Sequence, residues 1–344
     1  MEIKKIKTVG IIGEGKMGSA IFNYLLDFEF PLRWMVSGDA DLEKLLRATQ
    51  KKEKRIISTG IMNEKSVEKR FSQVQISTDL QAAKDCDLII EAVPEDVELK
   101  RKVFEKLSSF APAPAIFASN SSSIIPSRLI VHESCLPFTV GMHFFYPVMM
   151  KETVELILHD SVLPEAKQAA EEFLTTIRRR PLVQNEANSF LLNRLWLDIQ
   201  NEAFLLVQTG NISIPETDAL VRERLFSFGV FDFFDLVGLD VMLYSICNYT
   251  SDYPHRDYFQ PLISAFETMV SEGKLGQKSG TGFYSYPPGV ILPSITGRFS
   301  DIESHLRNTW LSASKRYTMR SRLPVGEMND AIKDYFGVEK GPFE

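Results

Sequence analysis

Short apolar runs alternate with helical patterns through the first half of the chain. Such alternation predicts βαβ units around a parallel sheet. Strands are expected at Thr8 to Ile12, Leu32 to Val36, Gln73 to Ser77, Asp87 to Val93, Ala115 to Ser119, Thr139 to His143 and Val154 to Leu158. Helices are expected at Met17 to Leu26 and Val97 to Phe110, with a charged helical pair at Asp41 to Arg55 and Asn63 to Phe71. Pro164 to Arg178 reads as an amphipathic helix returning to a short strand near Pro181 to Val183. From Ser189 onward the spacing is helical: Phe190 to Val207, Ile214 to Leu225, Asp240 to Tyr249 and Tyr258 to Glu272. The expected fold class is therefore α/β, a doubly wound sheet followed by an all-α domain.

The pattern also sets expected boundaries: a first domain over 1–185, a helical domain over 186–297 and a C-terminal helical extension over 298–344. Gly276 to Gly282, ending in Phe283-Tyr284-Ser285-Tyr286, reads as a docking loop, and Pro287 to Gly297 as a linker. Glu216-Thr217-Asp218-Ala219 through Gly229-Val230-Phe231 recurs loosely as Met328-Asn329-Asp330-Ala331 through Gly341-Pro342-Phe343. That makes the extension a candidate partial copy of the helical domain.

Composition narrows the function. A length of 344 residues suits two domains with a substantial core. A net charge of -6 carries no nucleic-acid footprint. No apolar run is long enough for a membrane span, and the first residues lack the apolar core of a signal peptide. Cys86, Cys135 and Cys247 lie far apart without metal spacing, so no metal site is expected. Read as reduced thiols, they suggest a cytoplasmic protein.

Two segments carry chemistry. Gly13-Glu14-Gly15-Lys16-Met17-Gly18 is a G-x-G-x-x-G between a strand and a helix, the context that dinucleotide binding requires. Gly13 permits the tight turn, Gly15 lets a pyrophosphate approach the backbone, and Gly18 lets helix and strand pack closely. The plain alternative is a glycine turn without ligand. The acidic residue that binds an adenosine ribose is expected at the end of the next strand. Here that end reads Val36-Ser37-Gly38-Asp39. Either Asp39 reaches back or the 2′ position is open; NAD is favoured and NADP left open, since no Arg follows the strand immediately. The second segment is Gly141-Met142-His143-Phe144-Phe145-Tyr146-Pro147, with Glu155 on the next apolar run. On neighbouring strands, Glu155 would fix the tautomer of His143 and support its imidazolium, leaving the other ring nitrogen to move a proton. The plain alternative is a core histidine satisfied by a backbone carbonyl.

In order along the chain, Val9 to Gly18, Asp87 to Glu95, Ala118 to Ser123, Gly141 to Pro147, Asn193-Arg194-Leu195, Asp235 to Asp240 and Gly280 to Tyr284 resemble the L-3-hydroxyacyl-CoA dehydrogenase family. The resemblance implies a Rossmann-type domain, a helical domain, and substrate in the cleft between them. It implies His143 as general base, paired with Glu155. It implies that Ser122 and Asn193 contact the substrate oxygen, and that Glu95 and Lys100 line the nicotinamide end of the cofactor. Ala92, Val93 and Asn120, within the matching blocks, join the glycine loop as expected cofactor contacts. Lys51 and Lys52 of the charged helical pair are expected at the CoA phosphates, unless they are simply a solvated face. Read without the family, Ser122 is a cap for a helix starting near Ile124, and Asn193 a polar helix-face group.

This chain departs from the family at Tyr146, where Asn is usual, at Ala187-Asn188-Ser189-Phe190, and at Val230. Tyr146 thus becomes a candidate substrate contact. The leading expectation is an NAD(P)-dependent dehydrogenase of a 3-hydroxyacyl thioester, borne by CoA or an acyl-carrier protein. A dehydrogenase of a free 3-hydroxy acid and a catalytically impaired cofactor-binding protein stand as alternatives. The expected assembly is a homodimer, or a monomer whose tail covers the dimer face in cis.

Overall fold

The structure is a computed structural model, and it describes residues 5–60, 63–111, 114–251, 256–286 and 299–344. The expected linker at 287–297 lies outside the described residues. Eight strands form one sheet: β1 (Val9–Ile12), β2 (Leu32–Met35), β3 (Val74–Ser77), β4 (Leu88–Glu91), β5 (Ile116–Ser119), β6 (Thr139–Phe144), β7 (Thr153–Leu158) and β8 (Arg180–Asn185). Their order is β3-β2-β1-β4-β5-β6-β7-β8. Every neighbouring pair is parallel except β6 and β7, which run antiparallel. All residues of β1, β4 and β5 are buried. Continuous apolar strands are what a sheet covered on both faces requires.

Helices α1 (Lys16–Leu25), α2 (Leu42–Ser58), α3 (Glu64–Phe71), α4 (Val97–Ser108) and α5 (Pro164–Thr176) accompany this sheet. Aspartates at the right offset start two of them: Asp41 accepts from Lys44 N, and Asp96 from Leu99 N. The chain leaves β1 for β2 on one side and reaches β4 on the other. That reversal opens a crevice at the carboxyl ends of β1 and β4, where doubly wound sheets bind ligands.

Residues 190–344 form a second compact unit. It contains α6 (Leu191–Gln208), α7 (Ile214–Arg224), α8 (Phe231–Val237), α9 (Leu239–Thr250), α10 (Gln260–Ser271), α11 (Ser300–Ser321) and α12 (Val325–Phe336). Trp196 on α6 meets Phe226, Phe228, Phe233 and Phe336 edge-on, at ring-centroid distances of 5.6, 5.2, 5.9 and 5.6 Å. Such edge contacts add to simple area burial. Helices α11 and α12, which make up the extension, pack on α6 within this unit. Arg316 on α11 reaches the buried Asp198 on α6 at 2.5 Å.

Each of the two loosely similar segments ties a side chain to a turn, at positions one residue out of register with each other. Asp218 accepts from the backbone N–H groups of Val230, Phe231 and Asp232. Asn329 accepts from Phe343 N, beside Gly341. Pro342, in the second turn, has no N–H to offer.

Candidate active site

The glycine loop follows β1 directly. Gly13 has φ +107°, and a Cβ there would meet the Ala92 carbonyl oxygen at 2.6 Å. A Cβ on Gly18 would fall 2.1 Å from the Gly13 carbonyl oxygen. Both positions therefore demand glycine for close packing. A Cβ on Gly15 would meet nothing within 4 Å, so this face of the loop is open. Gly15 is also the N-cap of α1, and no side chain caps that helix. An open glycine beside an uncapped helix start fits a pyrophosphate, which takes backbone N–H groups and the positive end of the helix dipole. The residues present thus fit a dinucleotide. Lys16 and Met17 open α1; Met17 turns toward the core, while the Lys16 ammonium lies 4.2 Å from the centre of the Tyr146 ring. Tyr146 is half exposed.

At the end of β4, Glu91, Glu95 and Lys100 form a charge cluster in which Glu91 and Lys100 are buried and Glu95 partly so. Lys100 donates to Glu91 Oε1 at 2.7 Å and to the Val93 carbonyl at 3.1 Å, and lies 3.4 Å from Glu95. Ser119 Oγ and Val93 N also donate to Glu91. Glu95 in turn accepts from Ser121 Oγ at 2.6 Å and from the backbone N–H groups of Ser122 and Ser123. Burial alone would raise the Glu95 carboxyl; the Lys100 ammonium and the Ser121 and Ser123 hydroxyls outweigh it and hold the group below its ordinary value. Burial would lower Lys100, but the Glu91 and Glu95 carboxylates raise it instead.

Ser122 is therefore tied to Glu95. The residue that receives Ile124 N is Ser121, at 2.8 Å, and Pro126–Arg128 is only a 3₁₀ turn. The simple reading of Ser122 as a helix cap thus does not hold. Asn120 Oδ1 accepts from Phe144 N at 2.9 Å, joining the end of β5 to the end of β6.

His143 and Glu155 face each other across the antiparallel β6–β7 pair. His143 Nδ1 and Glu155 Oε2 are 2.7 Å apart, and both side chains are buried. Gln184 Nε2, on β8, donates to the other Glu155 oxygen at 3.0 Å. The carboxylate is thereby fixed between a histidine and an amide. Nδ1 is the ring nitrogen that faces Glu155, and Nε2 lies on the far side of the ring.

Asn193 lies on α6 in the second unit. Its Nδ2 donates to Tyr249 Oη at 2.9 Å, and its Oδ1 accepts from Tyr335 Oη at 3.0 Å. Tyr335 belongs to the extension, so α12 helps to set the orientation of this amide. Lys51 is exposed on α2. Lys52 instead turns back to α1, where it bonds the Asn23 carbonyl and lies 3.4 Å from Asp27.

Sequence reasoning overlooked Glu91 and Glu14. An acid closing an otherwise apolar strand, Leu88-Ile89-Ile90-Glu91, was the available signal for the first. Nothing local marked the second, whose contacts lie across the sheet. Among the described residues, no group of three or more His, Cys, Asp or Glu is arranged to hold a metal ion. No helix of the described residues is long and apolar enough to cross a membrane.

Known proteins resemble this chain along most of its length. Residues 8–187 match the NAD binding domain of 3-hydroxyacyl-CoA dehydrogenase, and residues 190–286 its C-terminal domain. A 3-hydroxybutyryl-CoA dehydrogenase of Bradyrhizobium diazoefficiens is 31% identical over 84% of this chain and 98% of its own. The mitochondrial hydroxyacyl-coenzyme A dehydrogenase of Rattus norvegicus is 29% identical over 82% of this chain and 91% of its own. The solved structure of (S)-3-hydroxybutyryl-CoA dehydrogenase from Ralstonia eutropha is 27% identical with a TM-score of 0.72, covering 82% of this chain and 99% of that one. Matched in order through the sheet domain and the helical domain that follows it, the chain belongs to the 3-hydroxyacyl-CoA dehydrogenase family.

Proposed function

We propose that the protein interconverts a 3-hydroxyacyl-CoA and the 3-ketoacyl-CoA, with His143 moving the hydroxyl proton. The observation behind this reading is the His143–Glu155 pair, 2.7 Å apart and buried, on the same sheet as the open glycine loop. Bound NAD supplies the hydride acceptor. His143 Nε2 takes the proton from the 3-hydroxyl, and Glu155, fixed by Gln184, stabilises the imidazolium that forms. Ser122 is assigned the substrate oxygen as a hydrogen-bond donor. An acyl-carrier protein is the other thioester bearer this reading admits.

The test mixes purified protein with acetoacetyl-CoA and NADH and follows nicotinamide absorbance. Turnover supports the reading. Turnover of free 3-keto acids alone would replace the thioester with a free acid, and cofactor binding without any turnover would defeat it. His143→Ala should lower kcat by about 10²–10⁴, the usual contribution of a general base. NADH affinity should be unchanged, because His143 is not given a cofactor contact.

We further assign α11 and α12 the role of a cover in cis over the face that would otherwise pair two copies, leaving a monomer. The three cysteines are taken to remain reduced thiols in the cytoplasm. Burial pushes the Cys86 thiol up to about 12, which keeps it unreactive.

A further inference from the structure

The carboxyl end of β2 is where a doubly wound sheet recognises the adenosine ribose, usually through an acidic residue at the strand end. Ser37 occupies that place here. The carboxylate comes instead from the glycine loop itself. Glu14 Oε2 accepts from Ser37 N at 3.0 Å, and its Oε1 accepts from the Ser37 hydroxyl. The loop is held in register for this: Gly13 N donates to the Met35 carbonyl at 2.9 Å, and Trp34 Nε1 to the Gly13 carbonyl at 2.9 Å.

We propose that Glu14 is the residue that selects NAD over NADP, by accepting the adenosine 2′-hydroxyl and repelling a 2′-phosphate. A carboxylate has about four acceptor positions, so two bonds from Ser37 leave room for a ribose hydroxyl. A 2′-phosphate needs donors and cations. The Ser37 N–H and hydroxyl are both turned to Glu14, and a like charge at this range is unfavourable. Asp39, two residues beyond Ser37, adds a second acid. It is exposed and beyond the strand end, so it is assigned the lesser part.

The inference concerns the cofactor alone and is tested without acyl substrate. Dissociation constants for NADH and NADPH are measured by titrating nucleotide fluorescence. The wild-type protein should bind NADH more tightly than NADPH. Glu14→Gln, which removes charge but keeps shape, should narrow that ratio about tenfold, mainly by tightening NADPH. Glu14→Ala should narrow it too and also weaken NADH. Asp39→Asn should have the smaller effect. An unchanged ratio in both Glu14 variants, or a ratio that collapses only in Asp39→Asn, would overturn the proposal. Failure to bind either nucleotide would overturn it together with the NAD site. Inactivity toward thioesters would leave it standing.

Discussion

Lys100 is 1% exposed, between the carboxylates of Glu91 and Glu95. A buried ion pair adds little net stability, but removing one partner strands the other, at a cost of about 3–5 kcal/mol. Lys100→Met should therefore lower the unfolding midpoint in urea sharply, because Glu91 is fully buried. The same cluster sets a pH response. Glu95 lies below its ordinary value of 4.5, so its stabilisation is complete above that value and lost as pH falls through the lower folded value. Lys100 lies above its ordinary value of 10.5, so its share is complete below that value and lost as pH rises through the higher one. The melting temperatures of wild type and Glu95→Gln should differ by a constant amount from pH 6 to 8 and converge below roughly pH 4.5. A gap that persisted at low pH would mean that the Glu95 charge is not what stabilises this turn.

At the scale of elements, the extension is the clearest case. Phe336, Trp310, Met328 and Ile332 are buried, and Phe336 meets Trp196 and Trp310 edge-on. Each large apolar side chain buried in this way stabilises by about 1.5–3 kcal/mol. Ending the chain at residue 298 should lower Tm by roughly 10 °C or more, given that about 1 kcal/mol shifts a domain of this size by a few degrees. It would also bare the Tyr335 side of Asn193. Light scattering on the truncated protein tests the cover role: self-association supports it, whereas a stable, active monomer refutes it. The docking loop is as exacting. Asp235 accepts from Phe283 N, Tyr284 N and Tyr286 Oη, and a Cβ on Gly282 would fall 2.0 Å from Asp235 Oδ1. Gly282→Ala should accordingly cost stability, visible in the same thermal scan.

For the molecule as a whole, the sheet was legible because each strand is a short apolar run between turn residues, and the eight expected strands fall within a few residues of those observed. The partnership of His143 with Glu155 was legible too, since both stand on such runs. Helix α8 was not. It spans seven residues, too few for a helical period to show, and its start is set by the distant Asp218. Glu14 with Ser37, Lys16 with Tyr146, and Tyr335 with Asn193 escaped notice for the same reason: each joins residues that only the fold brings together. The antiparallel β6–β7 pair has a last consequence, for which insertions the gene can bear. His143 and Glu155 are paired residues on strands whose side chains alternate between faces. One residue added within β7 before Glu155 would turn the carboxylate to the opposite face. The same residue added among the exposed positions Met149 and Met150 can be absorbed by the connection. An insertion scan from Pro147 to Leu158 should thus show activity surviving in the connection and vanishing at the strand.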